Sequence, residues 1–125
     1  MPATTLPTGQ AAADVADGLA GVGPEPLACA QAQQLMRALA DPIRLRVMEA
    51  LGEGERCVCE LTDALDLAQS KLSFHLRVMR EAGLIAARQQ GRWMYYKLQP
   101  DALLRLRDWL DQLAESCTTP AQPCS

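Results

Sequence analysis

With 125 residues, 49% of them hydrophobic but only 4% aromatic, the chain has room for one helix-rich domain packed by Leu and Ala, and not for two. No run approaches the roughly 18 apolar residues of a membrane span, and Asp14 and Asp17 interrupt an amino terminus without Lys or Arg; this excludes a secretory signal and leaves a cytoplasmic, reducing location as the expectation. A net charge of −3 and a pI near 5.1 speak against nucleic acid only if the charge is spread evenly, and it is not: residues 69–98 carry +5, the remainder −8.

Residues 1–26, rich in Ala, Gly, Pro and Thr without apolar periodicity, predict a disordered tail ahead of a domain over 27–116. From Leu27 the pattern turns helical, with Leu35, Met36 and Leu39 on one face and Cys29 in the first turn. Asp41-Pro42 starts a second helix, Asp as N-cap and Pro where its missing N–H costs nothing. Ile43, Val47, Ala50 and Leu51 form its core face, and Gly52 and Gly54 end it. Glu55 to Leu61 opens a third helix with Leu61, Ala64 and Leu65 inward, and Asp66 to Gln69 is a tight connection.

The next stretch, Gln69 to Leu84, predicts a helix capped by Ser70 and stopped by Gly83, with Leu72, Leu76, Met79 and Val78 apolar. Two short helices joined so closely have the form of a helix-turn-helix, the second presented to DNA. Ile85 to Gln89 and Arg92 to Leu98 then flank Gln90-Gly91 as a hairpin, a wing tipped by Arg92. The fold class expected is mainly α with a small β-hairpin wing, a winged helix-turn-helix. Pro100 opens the last helix, where Leu103, Leu106, Leu110, Leu113 and Cys117 fall at spacings of 3 and 4. A domain this small has little surface to cover such a seam, so it reads as a two-fold dimer contact, with the first helix helping. Residues 117–125 predict a flexible tail.

The residues expected on DNA are Gln69, Ser70, Lys71, Ser73, His75, Arg77, Arg80, Arg88 and Arg92: small polar groups and amides to position or read, cations to hold phosphate. His75 has a second reading, as a packed buttress.

Five cysteines in a reducing compartment are thiols or ligands more than a disulfide framework. Cys57 and Cys59 stand as a pair whose soft sulfurs select thiophilic ions over Mg or Ca; Cys59 taken alone reads as a small core hydrophobe, but the pair beside a helix-turn-helix reads as ligands. On a helix, side chains two apart diverge by about 200°, whereas in extended chain they point the same way. Chelation by both therefore calls for an unwound first turn of the third helix. Arg56 and the helix amino terminus favour thiolate, and Glu55 and Glu60 oppose it.

The run from Ala38 to Leu98 (ALADPIRLRVMEAL, CVCEL, SKLSFHLRVMREAGLI, GRWMYYKL) resembles the ArsR/SmtB family of winged-helix metal-sensing repressors, over about half the chain. The resemblance implies a homodimer that sits on an inverted-repeat operator in double-stranded DNA and leaves it on binding a metal or metalloid. Cys-Val-Cys-Glu-Leu at the third helix looks like the arsenite-responsive subgroup, which represses arsenic-resistance operons and senses As(III) or Sb(III) as inducer. No organic cofactor and no membrane partner are implied. The subgroup's third cysteine is replaced here by Thr62, so the third ligand falls first to Cys29, with Cys117 or Cys124 as the other candidates. The alternatives are a cadmium, lead or zinc sensor and a thiol-redox repressor of the same fold. A thiol enzyme ranks last, because the chain lacks a Cys-x-x-Cys, a phosphate-cradling Gly loop and a spare histidine.

Overall fold

A computed structural model describes residues 25–124, so the expected amino-terminal tail lies almost wholly outside the described residues. The elements run α1 (Cys29–Leu39), α2 (Pro42–Leu51), β1 (Arg56–Cys57), α3 (Val58–Leu65), α4 (Gln69–Glu81), β2 (Ile85–Gln90), β3 (Trp93–Leu98) and α5 (Pro100–Ser116). This is the winged helix-turn-helix the sequence predicts, with one strand more. The three strands form an antiparallel sheet in the order β1-β3-β2, with Arg56 opposite Tyr96 and Cys57 opposite Tyr95.

Local chemistry explains most boundaries. Asp41 caps α2, its carboxylate accepting from the amides of Ile43 at 2.8 Å and Arg44 at 3.2 Å, with Pro42 in the first turn. Asp66 ends α3 in the left-handed region (φ 53°), a conformation its short polar side chain tolerates. Gly83 (φ 85°) closes α4 in a Schellman turn: its own amide bonds the Arg80 carbonyl and that of Leu84 bonds the Met79 carbonyl, both at 3.0 Å.

Three boundaries and one buried face differ from expectation. Ser70 is not the cap of α4; Ala68 takes the extended N-cap conformation without a side-chain bond, and Ser70 lies inside the helix with its side chain exposed. Ala64 is exposed, and the inner face of α3 is carried by buried Leu61 and Leu65 with half-buried Val58 beside them. The hairpin turns on Gly91-Arg92, one residue later than expected, because Gln90 pairs with Trp93. The positive φ needed at the first loop position is then met by Gly91 at +63°. Finally, β1 occupies residues assigned to the opening of the third helix.

The core gathers Val47 and Leu51 of α2, Leu61 and Leu65 of α3, Leu72, Leu76 and Met79 of α4, then Leu84, Ile85 and Leu106. Arg44 welds three helices from one side chain. Its guanidinium donates to the Ala38 carbonyl at the end of α1 and lies 3.2 Å from His75 Nδ1 on α4. Arg46 does similar work for α3, donating to the Leu65 carbonyl at 3.2 Å. α4 is thus seated on α1, α2, α3 and β2, which leaves its outer face to solvent.

Candidate nucleic-acid interface and thiol pair

Along α4, Gln69, Ser70, Lys71, Ser73, Arg77 and Arg80 are all exposed, and Arg92 is exposed in the wing turn. Seven of the nine residues predicted for DNA are therefore open to solvent, with Lys71 and Arg80 half a turn apart on the two flanks of the helix. The other two are tied up by other side chains. His75 is buried at 7% exposure, against Arg44 and with its Nδ1 3.9 Å from Asp41 Oδ1. It faces inward with Leu72, Leu76 and Met79, so the buttress reading replaces the DNA contact. Arg88 is committed within the protein: Nε and Nη2 reach the two carboxylate oxygens of Glu55 at 2.9 and 2.8 Å, and the guanidinium lies 4.6 Å from the Tyr95 ring centre. That bidentate bond first of all, and the Arg88 charge, hold the Glu55 carboxyl below its usual range despite some burial. Arg88 clamps β2 to the segment before β1.

Two aromatic side chains share this surface and were not anticipated. Phe74 on α4 is 49% exposed, with the Arg77 guanidinium 5.7 Å from its ring centre, and Trp93 on the wing is 53% exposed. An aromatic at an outward position of an otherwise polar helix face was the available signal for Phe74.

The cysteine pair lies at the start of α3, where Cys59 lines a groove together with Gln69, Ser73 and Arg92. Cys57 ends β1 and serves as N-cap of α3 with extended backbone (φ −81°, ψ 162°), and Cys59 is the second residue of the helix. This junction, strand into helix, brings the two sulfurs into contact at 2.6 Å without unwinding any turn. Glu60 completes a capping box: its carboxylate accepts the Cys57 amide at 3.0 Å. That amide bond, with the Cys57 thiol as a second donor, keeps the Glu60 carboxyl below its usual range. The neighbouring Cys57 sulfur, with desolvation adding to it, pushes the Cys59 thiol above the ordinary thiol range, against the pull of nearby backbone amides. Arg56 does not oppose this, because its guanidinium lies 2.8 Å from Glu53 and 4.0 Å from Glu60.

Thr62, which stands in place of a third cysteine, donates its hydroxyl to the Cys59 carbonyl at 2.8 Å. Cys29, Cys117 and Cys124 are all exposed, and no group of three Cys, His, Asp or Glu side chains is placed to hold a metal among the described residues. Within one protomer the pair therefore stays a pair, and Cys29 does not join it. No helix among the described residues is long and apolar enough to cross a membrane.

Comparison with known proteins adds a second line. A profile described as bacterial regulatory protein, arsR family, matches residues 41–87, from the cap of α2 into β2. The chain is 41% identical over 105 residues to the arsenic resistance transcriptional regulator ArsR1 of Pseudomonas putida, covering 71% of this chain and 82% of that protein. It is 50% identical over 68 residues to the arsenical resistance operon repressor of Escherichia coli, covering 54% of this chain and 58% of that one. A crystal structure of an ArsR family transcriptional regulator matches with a TM-score of 0.69 at 25% identity, over 78% of this chain and 100% of the other.

Proposed function

The chain belongs to the ArsR family of bacterial regulatory proteins and is a transcriptional repressor, not an enzyme; from that premise we propose that it leaves its operator when As(III) or Sb(III) bridges Cys57 and Cys59. The observation that carries the reading is the contact between the two sulfurs at the cap of α3. Soft thiolates select thiophilic ions, and both sulfurs already point to one place. Cys57 is at once ligand and helix cap. An ion that takes its sulfur competes with the arrangement that fixes the first turn of α3. That helix supports α4 through Leu61 and Leu65, so a change at its foot alters the pose of the helix that reads DNA.

On the DNA side, Gln69, Ser70, Lys71, Ser73, Arg77, Arg80 and Arg92 make the contacts, with two protomers spanning an inverted repeat whose half-sites lie about 34 Å apart. A third bond to the ion comes from a second copy, with Cys29 ahead of Cys117 and Cys124. The test is operator release titrated in parallel with As(III), Sb(III), Cd(II), Pb(II), Zn(II) and peroxide. Cys57→Ser and Cys59→Ser should each bind operator like the parent protein, since serine caps a helix as well, and should ignore As(III). Unchanged release in both variants removes the sensor from this place. Release by peroxide alone replaces ion capture with oxidation of the same touching pair.

A further inference from the structure

α4 sorts its side chains by direction. Leu72, His75, Leu76 and Met79 share the buried stripe, and Ser70, Ser73, Phe74 and Arg77 fall within little more than a quarter turn on the opposite side. The flanking Lys71 and Arg80 suit the phosphate ridges on either side of a major groove, and the central arc suits the base edges on its floor. Three of the four side chains in that arc are polar. The fourth, Phe74, is the chain's single phenylalanine, 49% exposed and outside the core. Its ring is nevertheless held. The Arg77 guanidinium lies 5.7 Å from the ring centre, a cation–π distance. The ring also meets His75 edge-on, with centroids 5.2 Å apart and planes at 74°, and His75 is buried beside Arg44. A ring fixed in this way loses little rotamer freedom on docking.

We propose that Phe74 is a specificity-determining residue, its ring set against the C5 methyl group of a thymine in the major groove, one in each half-site. This goes beyond the polar contacts assigned above and rests on their placement of α4 on DNA. Among the four bases thymine alone presents a methyl group there, whereas adenine, guanine and cytosine present donors and acceptors only. A phenyl ring gives those groups no hydrogen bond and takes their water away, so it favours thymine and penalises the other three. Ser70, Ser73 and Arg77 around it supply the polar contacts that a phenyl ring does not.

The test removes the methyl group before it removes the side chain. A double-stranded site is selected from a random-sequence library with the full chain, and each thymine of a half-site is replaced in turn by deoxyuridine, symmetrically in both halves. Deoxyuridine lacks only that methyl group, and the protein is unchanged, so misfolding cannot enter the result. At one thymine per half-site the replacement should lower affinity by about fourfold per protomer, the worth of one buried methyl-sized group. In Phe74→Ala the thymine and uracil sites should bind alike, both more weakly than the parent protein binds thymine. Three results overturn the proposal: no thymine at which loss of the methyl group matters, a methyl effect that survives in Phe74→Ala, or affinity unchanged in Phe74→Ala, which leaves the ring for a protein partner. A merely structural role gives the second result, because a distorted helix weakens both sites and keeps the gap between them. If no sequence is enriched at all, the placement of α4 on DNA fails as well. An enriched site without a Phe74-dependent methyl effect defeats this inference alone.

Discussion

Asp41 shows how much one side chain settles. Its carboxylate caps α2 and faces the Arg44 guanidinium and the buried His75 ring. Burial opposes its ionisation, but the amides of Arg44 and Ile43 and the nearby Arg44 charge outweigh it, and its pKa sits below the usual carboxylate range. A native pKa below the unfolded one stabilises the fold fully above the unfolded value, about 3.9, and the contribution is lost as pH falls through the lowered native value. Asp41→Ala should therefore lower the Tm by roughly 5 °C at neutral pH, with the two melting curves converging only in acid, below about pH 4. Asp41→Asn, an equally good cap, separates capping from charge: a loss matching that of Ala would assign the effect to the ionised carboxylate. The Asp-Pro pair made this cap legible, because everything it needs lies within three residues. His75 was harder, since its partner Arg44 is 31 residues away. Its position carried the clue nonetheless: 72, 75, 76 and 79 are spaced i, i+3, i+4, i+7, so the ring shares the buried stripe with two leucines and a methionine.

At the scale of the element, the wing separates two arginines that composition treats alike. Arg92 sits in a two-residue turn with its side chain exposed, whereas Arg88, four residues before it on the same hairpin, is held bidentate by Glu55 from the segment before β1. A phosphate contact releases counterions and a clamp does not. Arg92→Ala should reduce the slope of log affinity against log salt by about one per protomer. Arg88→Ala should leave that slope unchanged and instead raise amide exchange along β2 and the strand it pairs with. A lowered slope in Arg88→Ala would return that residue to the DNA contact list. The hairpin itself was legible from alternation around a glycine, although a shift of one residue put Arg92 in the turn and not in the strand. β1 was not legible. Two residues have no periodicity, and Arg56-Cys57 becomes a strand only because β3 is there to pair with it. That pairing is also what makes the thiols converge: it holds Cys57 extended at the point where Cys59 turns helical, an arrangement that neither the helical nor the extended rule for residues two apart describes.

For the molecule as a whole, the leucine seam on α5 was visible in the sequence, but its division was not, since that depends on where the domain's own core ends. The helix is 17 residues long, or about 25 Å. Leu106 is buried and Leu103 packs against the same core, so these two, expected at a dimer contact, belong to the protomer. Leu110 and Leu113 continue the stripe past that core at 49% and 52% exposure, and Met36 on α1 is 39% exposed. On the reading of the exposed part as a dimer contact, the seam is core at its start and interface at its end, and substitutions along it should split accordingly. Leu106→Ala should cost about 2–5 kcal/mol of fold stability, as cavity-forming substitutions do. The double variant Leu110→Asp, Leu113→Asp should keep the helical spectrum and the melting cooperativity of the parent while sedimenting as a monomer. A monomer grips one half-site at a time and loses the effective concentration that tethering gives the second, so operator affinity should fall about a hundredfold or more. Should the double variant remain dimeric on a full-length operator, the contact lies elsewhere, and exposed Leu45 on α2 becomes the next position to charge.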